Sequence, residues 1–177
     1  MTARRRNLLA LVHGLATTLV LMVWGVSAAQ ASESWVGWVS WVMDGDTVLL
    51  VRQGQTEPVK LRIDGIDAPE ACQPGGAEAR DAMVVLALRK RVQVLDVGLD
   101  SYGRHVGRLN LDGVDLGAEM VRTGMAWAYR FHTGKGPYAS LQRQAQKQKI
   151  GVFGAHEGAM SPPVFRKFHG TCHGLSP

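Results

Sequence analysis

The chain is poor in several residue types that mark common protein classes. Of its 177 residues only two are cysteines, 7% are aromatic and 20% are charged. So low a charged fraction, beside 46% hydrophobic residues, excludes an intrinsically disordered chain. Only one apolar run is long enough to span a bilayer, which excludes a protein with several membrane spans. The length suits a single domain with one core.

The one long apolar run lies at the N-terminus. Arg4–Arg6 precede an apolar stretch, Leu8–Val26, which is followed by Ala29-Gln30-Ala31. This order predicts a secretory signal peptide over residues 1–31, cleaved after Ala31, and a protein that is periplasmic or secreted. The alternative is an uncleaved segment, in which residues 8–26 anchor the protein in the inner membrane.

The charge of the chain is unevenly distributed. The whole chain carries 20 basic and 15 acidic residues, for a net charge of +5 and a pI of about 9.6. Ser32–Val121 holds 9 basic and 14 acidic residues, whereas Arg122–Pro177 holds 8 basic and 1 acidic. An acidic first part and a basic last part suit a metal-assisted enzyme with an anionic substrate, although solvated surfaces give the same pattern.

The two cysteines are Cys72 and Cys172. An even number of cysteines in a protein expected outside the cytoplasm favours a disulfide between them. Two free thiols are the alternative. A bridge closing a loop of about 100 residues could stabilise the fold by ~4–5 kcal/mol on the chain-entropy model.

The residues after the signal segment predict a mainly β domain. Aromatic and β-branched residues between turn signals predict five strands, at Trp35–Val42, Thr47–Arg52, Pro58–Ile66, Val92–Val97 and Arg104–Leu111. Helical spacing predicts three helices, at Ala77–Arg91, Leu116–Thr123 and Pro137–Lys149. This order of elements suits a five-stranded OB-fold barrel with three helices, an α+β fold that is mainly β. The domain is expected over residues 32–153, followed by an irregular tail, residues 154–177, tied back by the disulfide.

Three short segments carry most of the candidate functional residues. They are Asp44–Thr47, Leu61–Glu70 and Asp100–Arg104. Each of them taken alone is common in turns and loops. In the third segment, Tyr102 can hydrogen-bond a phosphate or stack beside a base.

Together these segments contain the groups needed to cut a phosphodiester bond. Asp46 and Asp67 come from different loops and can hold one hard cation, with carbonyls, waters and a substrate oxygen completing its shell. Arg62 and Arg104 carry rigid forks that match phosphate oxygens and stabilise the charge that builds up on them. Glu70 can orient or deprotonate the attacking water.

The order and spacing of these motifs resemble the staphylococcal nuclease (thermonuclease) family. The matching stretches read Asp-Gly-Asp-Thr, Arg-x-x-x-Ile-Asp-Ala-Pro-Glu and Asp-x-Tyr-Gly-Arg, and the likeness extends over about residues 36–153. The resemblance implies an OB barrel that hydrolyses DNA and RNA with Ca²⁺ as its cofactor and leaves 3′-phosphate ends. It implies no stable protein partner, so a monomer is expected.

The resemblance also implies a role for each matching position. It implies that the calcium ligands are Asp46, Asp67 and the backbone carbonyl of Ala68, and that the phosphate-binding arginines are Arg62 and Arg104. The catalytic glutamate is then Glu70. The tyrosines that contact substrate are Tyr102 and, on a looser alignment, Tyr129. Ser101 departs from the family pattern, because the namesake enzyme has a phosphate-contacting lysine there. This departure weakens one contact with the substrate.

Two functions without catalysis remain as alternatives. The first is an OB-fold protein of the cell envelope that binds single-stranded nucleic acid and does not cut it, since fold alone does not prove activity. The second is a carbohydrate-binding protein on the same barrel. The complete set of carboxylates and arginines favours the nuclease, because neither kind of binding protein needs it.

Overall fold

The chain forms a β-barrel with helices packed around it, seen in a computed structural model that describes residues 33–130, 136–155 and 160–172. The strands are β1 (Glu33–Val42), β2 (Thr47–Arg52), β3 (Pro58–Ile63), β4 (Ile66–Asp67), β5 (Arg91–Leu99), β6 (His105–Leu111), β7 (Val114–Asp115) and β8 (Trp127–Ala128). The helices are α1 (Gly76–Ala87), α2 (Leu116–Arg122), α3 (Ala139–Gln148), α4 (Val152–Ala155) and α5 (Pro162–His169). The predicted signal segment, residues 1–31, lies outside the described residues.

The five long strands close on themselves. They run in the order β3-β2-β1-β5-β6 through antiparallel pairs, and a parallel pairing of β3 with β6 completes the circle. Gly107 lies at this closure, where a Cβ atom would stand 2.9 Å from the carbonyl oxygen of Leu95. The predicted five-stranded OB barrel is therefore confirmed, and its three predicted helices are present as α1, α2 and α3.

Alternating residues of the strands fill the barrel. Val48 and Leu50 of β2, like Leu61 and Ile63 of β3, are at most 1% exposed, as the period of two in a strand requires. Helices α1 and α2 pack against the barrel and contribute the buried residues Ala79, Met83, Ala87, Leu116 and Met120 to the same core.

A turn divides the predicted strand Pro58–Ile66 in two, so this prediction is wrong beyond Ile63. Gly65 adopts a φ of 80°, and a Cβ at this position would lie 2.7 Å from the ring of Tyr138. The chain then reverses into β4, which pairs with β8. Because of this turn, Asp67 lies near the end of β3 instead of further along the barrel wall.

The tail is not irregular throughout, which corrects the expectation for residues 154–177. Residues 162–169 form α5, which begins with two prolines, and its Pro162 and Phe165 are buried against the domain. Prolines suit the first turn of a helix. With eight residues and only two of them buried, α5 is too short to show a helical period in the sequence. None of the helices in the described part of the chain has the length and apolar character to span a bilayer.

Candidate active site

The three predicted segments meet at one cleft of about 560 Å³ at the end of the barrel. Its lining includes seven of the eight residues predicted to contact metal or substrate, namely Asp46, Arg62, Asp67, Ala68, Glu70, Tyr102 and Arg104. These residues come from the β1–β2 turn, from β3, from β4 and the loop after it, and from the β5–β6 turn. The barrel thus brings together segments that are more than 50 residues apart in sequence.

Asp46 is held rigidly in the turn between β1 and β2. Its carboxylate accepts hydrogen bonds from the Thr47 hydroxyl at 2.9 Å and from the Ala68 backbone N–H at 2.7 Å, and the residue is 6% exposed. The Asp46 N–H donates to Oδ1 of Asp44 at 3.0 Å. Gly45 lets the turn pack closely, because a Cβ there would lie 2.7 Å from that of Ala68. The turn and the loop after β4 therefore form one unit.

Arg62 extends from β3 between two carboxylates. Its Nη1 lies 2.5 Å from Oδ2 of Asp46, and its Nη2 donates to Oδ1 of Asp67 at 3.0 Å. Burial opposes the charge of the guanidinium, but the two aspartates outweigh this and raise the pKa of Arg62 above its usual value. Arg62 is therefore a fixed cation inside the cleft.

Negative charge is concentrated around this arginine. Burial, reinforced by the charge of Asp46, raises the pKa of Asp44 to about 7. Burial also raises the pKa of Asp67, although hydrogen bonding to Arg166 and the charge of Arg62 act in the opposite direction. In both residues the main cause is burial, which disfavours the charged form of a carboxyl group.

The donor set fits a hard divalent cation, because all its candidate ligands are oxygen atoms. Asp46 and Asp67 supply carboxylates, and Ala68, which also lines the cleft, supplies a backbone carbonyl. Calcium takes six to eight oxygen ligands, so water or a phosphate oxygen must complete the shell. Among the described residues, no group of three or more His, Cys, Asp or Glu side chains is placed to hold a metal ion.

Arg104 is oriented by the turn that carries it. The carboxylate of Asp100 accepts hydrogen bonds from the N–H groups of Tyr102 and Arg104, each at 2.9 Å, and from Nε of Arg104 at 2.7 Å. Gly103 permits this turn with a φ of 73°. The Arg104 side chain remains 35% exposed, and its guanidinium lies 5.5 Å from the ring centre of Tyr102, which is 83% exposed. Both side chains are accessible to a ligand.

Tyr129 does not line the cleft with the other predicted residues. Its N–H donates to the carbonyl of Gly65 at 2.8 Å, and its ring packs beside the guanidinium of Arg130, at 5.3 Å. The chain that follows, residues 131–135, lies outside the described residues. The structure therefore brings seven of the eight predicted residues together and leaves Tyr129 apart.

Two cationic residues that line the cleft, Lys60 and Arg166, were not among the predicted site residues, and Arg166 is the one that bonds to Asp67 and Glu70. Arg166, on α5, donates from Nη1 to Oε1 of Glu70 at 2.7 Å and from Nη2 to Oδ2 of Asp67 at 3.0 Å. Burial opposes its charge, but hydrogen bonds with these two carboxylates raise the pKa of Arg166. Two sequence signals could have found it: the basic excess after Arg122, and the position of Cys72 two residues after Glu70.

The part of the tail that carries Arg166, here called the C-terminal segment (residues 160–172), is held at both ends. The expected disulfide joins Cys72 to Cys172, with 5.8 Å between their Cα atoms. At the other end, Nε2 of Gln73 donates to the carbonyl of Met160 at 2.6 Å, while Oε1 of Gln73 accepts from the N–H of Glu70. Gln73 is 5% exposed, so these bonds are shielded from water.

Comparison with known proteins agrees with the motifs. The family model described as staphylococcal nuclease homologue matches residues 60–154. The chain belongs to the staphylococcal nuclease family. The match includes the second and third motif segments, and the family predicted from the motifs is confirmed.

Relatives from bacteria and plants share this similarity. The chain is 33% identical over 174 residues to a micrococcal nuclease of Shigella flexneri, covering 92% of this chain and 95% of that protein. It is 30% identical over 150 residues to an uncharacterized endonuclease of Haemophilus influenzae, covering 85% and 83%. With a probable staphylococcal-like nuclease of Oryza sativa it shares 35% identity over 96 residues, which is 54% of this chain and 29% of the plant protein.

Proposed function

We propose that the protein is a calcium-dependent nuclease that hydrolyses DNA and RNA by in-line attack of water and leaves 3′-phosphate ends. The observation that carries the proposal is the convergence of Asp46, Asp67, Arg62, Arg104 and Glu70 on one open cleft. Membership of the staphylococcal nuclease family gives the enzyme class, a hydrolytic nuclease. The need for calcium, the breadth of substrates and the nature of the products are parts of the proposal.

The two arginines bind the scissile phosphate in complementary ways. Arg62 is fixed between Asp46 and Asp67, whereas Arg104 is held by Asp100 and remains one-third exposed. A guanidinium fork can donate two parallel hydrogen bonds to phosphate oxygens. Because both forks are oriented before the substrate arrives, they stabilise the charge that develops during attack without having to reorganise.

Glu70 acts on the attacking water. Its carboxylate lines the cleft and its side chain is 18% exposed, so it reaches the space that a phosphate would occupy. From this position it orients the water and can accept its proton. Arg166 holds one oxygen of this carboxylate, and the other oxygen is without a hydrogen bond from the described residues.

Asp46, Asp67 and the carbonyl of Ala68 would hold the cation. Calcium bound there would polarise the phosphate and offset its negative charge. The presence of Asp44, Asp46 and Asp67 in the same cleft supports the fit, because the three side chains place negative charge around the site. With only two carboxylates as ligands, the site is expected to bind calcium modestly until the substrate adds an oxygen.

The decisive experiment is a cleavage assay on the purified protein lacking residues 1–31. Single-stranded DNA and RNA, labelled at the 5′ end, are incubated with calcium or with a chelator. We expect cleavage in the presence of calcium and none in the presence of the chelator. The 3′ ends of the products should be extended by a polymerase only after phosphatase treatment. Binding of the strand without cleavage under any divalent cation would refute the proposal and favour the nucleic-acid-binding alternative.

We also propose that the protein is exported. The signal pattern of residues 1–31 supports this, and so does the disulfide between Cys72 and Cys172, since such bonds persist in oxidising compartments. Mass spectrometry of the protein from separated cell fractions is expected to find a chain that begins at Ser32 in the periplasm or the medium. An intact N-terminus in the inner-membrane fraction would instead indicate an anchor.

A further inference from the structure

The C-terminal segment, which lies outside the family match, adds a cation to the cleft. The match ends at residue 154, whereas Arg166 lies on α5, and its guanidinium lines the same cleft as Asp67 and Glu70. The segment is docked by the buried ring of Phe165, by the Gln73–Met160 hydrogen bond and by the disulfide. These three contacts anchor the segment and so fix the position of Arg166 in the cleft.

Arg166 bridges the carboxylates of Glu70 and Asp67, which have different proposed roles. Its Nη1 donates to Glu70 at 2.7 Å and lies 3.3 Å from Oδ1 of Asp67, while its Nη2 lies 3.0 Å from Oδ2 of Asp67. Within the described part of the chain, Arg166 is the one side chain bonded to the Glu70 carboxylate. A planar fork that bridges two acids fixes the distance between them.

This arrangement leaves room for the cation. A carboxylate has about four lone-pair positions. In Asp67 two donors occupy Oδ1, from Arg62 and Arg166, and one donor from Arg166 occupies Oδ2. Because Oδ2 accepts only one hydrogen bond from the described residues, it has a further lone pair to offer, so the arginine and a cation can share Asp67. A role in positioning is therefore compatible with metal binding.

We propose that Arg166 is a positioning residue of the active site, which acts by holding Glu70 relative to Asp67, and that the Cys72–Cys172 disulfide keeps it in place. The inference rests on the proposed nuclease function. It assigns part of the active site to a segment beyond the matched domain. It also makes the activity depend on the oxidation state of the two cysteines.

The first test compares Arg166→Ala with Lys167→Ala, an exposed neighbour on the same helix. Loss of a residue that orients another ligand or catalytic group costs about 10–100-fold in activity, and we expect kcat of Arg166→Ala to fall in this range. KM should stay within about twofold, because Arg166 acts through Glu70 and Asp67 and not on the phosphate. Lys167→Ala should match the wild type.

Three further measurements separate positioning from a merely structural role. Guanidinium ion added at non-denaturing concentration should restore part of the activity of Arg166→Ala and none of that of Glu70→Gln. Arg166→Lys should stay impaired, since a single ammonium cannot bridge two acids as a fork does. Titration calorimetry without substrate should find a calcium Kd for Arg166→Ala within about threefold of the wild type, because Asp67 keeps its place against Arg62.

The disulfide is tested by reduction and by the paired variant Cys72→Ser/Cys172→Ser. Either change should lower the activity of the wild type, and neither should lower that of Arg166→Ala further, because both act through one contact. Circular dichroism establishes that each variant is folded at the assay temperature. If Arg166→Ala does not fold, Arg166→Gln decides by the same criteria.

The outcomes are distinguishable. Unchanged kcat in folded Arg166→Ala, beside an active wild type, overturns the inference alone. Faster cleavage at limiting calcium, together with tighter calcium binding, also overturns it and shows that Arg166 competes with the cation. An inactive wild type overturns the proposed function and this inference with it.

Discussion

Arg62 and Asp46 form a buried ion pair, with 2.5 Å between Nη1 and Oδ2 and with side chains that are 16% and 9% exposed. The pair joins the residue proposed to bind phosphate to one proposed to bind the cation. Each group therefore holds the other in its working position before either ligand arrives. A substitution of either residue is therefore expected to affect both phosphate binding and cation binding.

We expect Arg62→Ala to lose both activity and stability. The substitution leaves Asp46 and Asp67 buried without their common partner, and breaking a buried ion pair costs about 3–5 kcal/mol. Urea unfolding in the presence of chelator measures this loss, and the cleavage assay measures turnover. Arg108→Ala is the matched control, because Arg108 pairs with Asp64 at 3.3 Å with side chains that are 42% and 29% exposed, and loss of such a partly solvated pair should change stability by about 1 kcal/mol or less. Near-normal turnover of Arg62→Ala would contradict the assigned role.

Glu70→Gln should separate catalysis from binding. The amide keeps the size of the side chain but cannot accept a proton, so we expect kcat to fall by about 10²–10⁴-fold. Binding of single-stranded DNA, measured by fluorescence anisotropy, should change little because Arg62 and Arg104 remain. Glu78→Gln, an exposed change on α1, is the control and should behave as the wild type. A loss confined to binding would rule out Glu70 as the group that acts on water.

Asp46→Asn tests the cation site. The amide oxygen can still accept the hydrogen bond from the Ala68 N–H, so the loop should stay folded while the charge is lost. Asp46 is one of only two carboxylates available to the cation, so loss of its charge should weaken calcium binding by at least about tenfold. Calorimetry measures the affinity, and the calcium-induced rise in Tm should shrink with it. Asp64→Asn provides the control, and equal calcium affinity in the two variants would argue against Asp46 as a ligand.

Reduction of the disulfide should lower the free energy of unfolding. Cys72 and Cys172 are 100 residues apart, and a disulfide that closes a loop of this size stabilises the folded state by about 4–5 kcal/mol on the chain-entropy model. Urea unfolding with and without reductant measures the difference. The variant Cys72→Ser/Cys172→Ser should be equally destabilised and insensitive to reductant. A wild type whose unfolding midpoint does not respond to reductant would show that the disulfide does not constrain the unfolded chain.

Most of the barrel and of the cleft could be predicted from the sequence, because the signals are local. The strand Thr47–Arg52 is found with the predicted bounds, since its β-branched and apolar residues stand between two local turn signals, Asp44-Gly45-Asp46 and Gln53-Gly54-Gln55. Asp46, Asp67 and Glu70 follow from motifs of a few residues each. The predicted strand Pro58–Ile66 is too long, because it runs through Asp64-Gly65, a local turn signal at which Gly65 adopts a φ of 80° and β3 has ended.

The sequence by itself determined the barrel, the family and the three segments that supply the carboxylates, Arg62 and Arg104. Only the tertiary structure decided that Tyr129 lies apart from the cleft and that Arg166 lies in it. The reason is the range of the interactions. Arg166 and Glu70 are 96 residues apart, and no local sequence pattern specifies which carboxylate this arginine pairs with. That choice is made by the packing of Phe165 and by the disulfide, which exist only after the chain has folded.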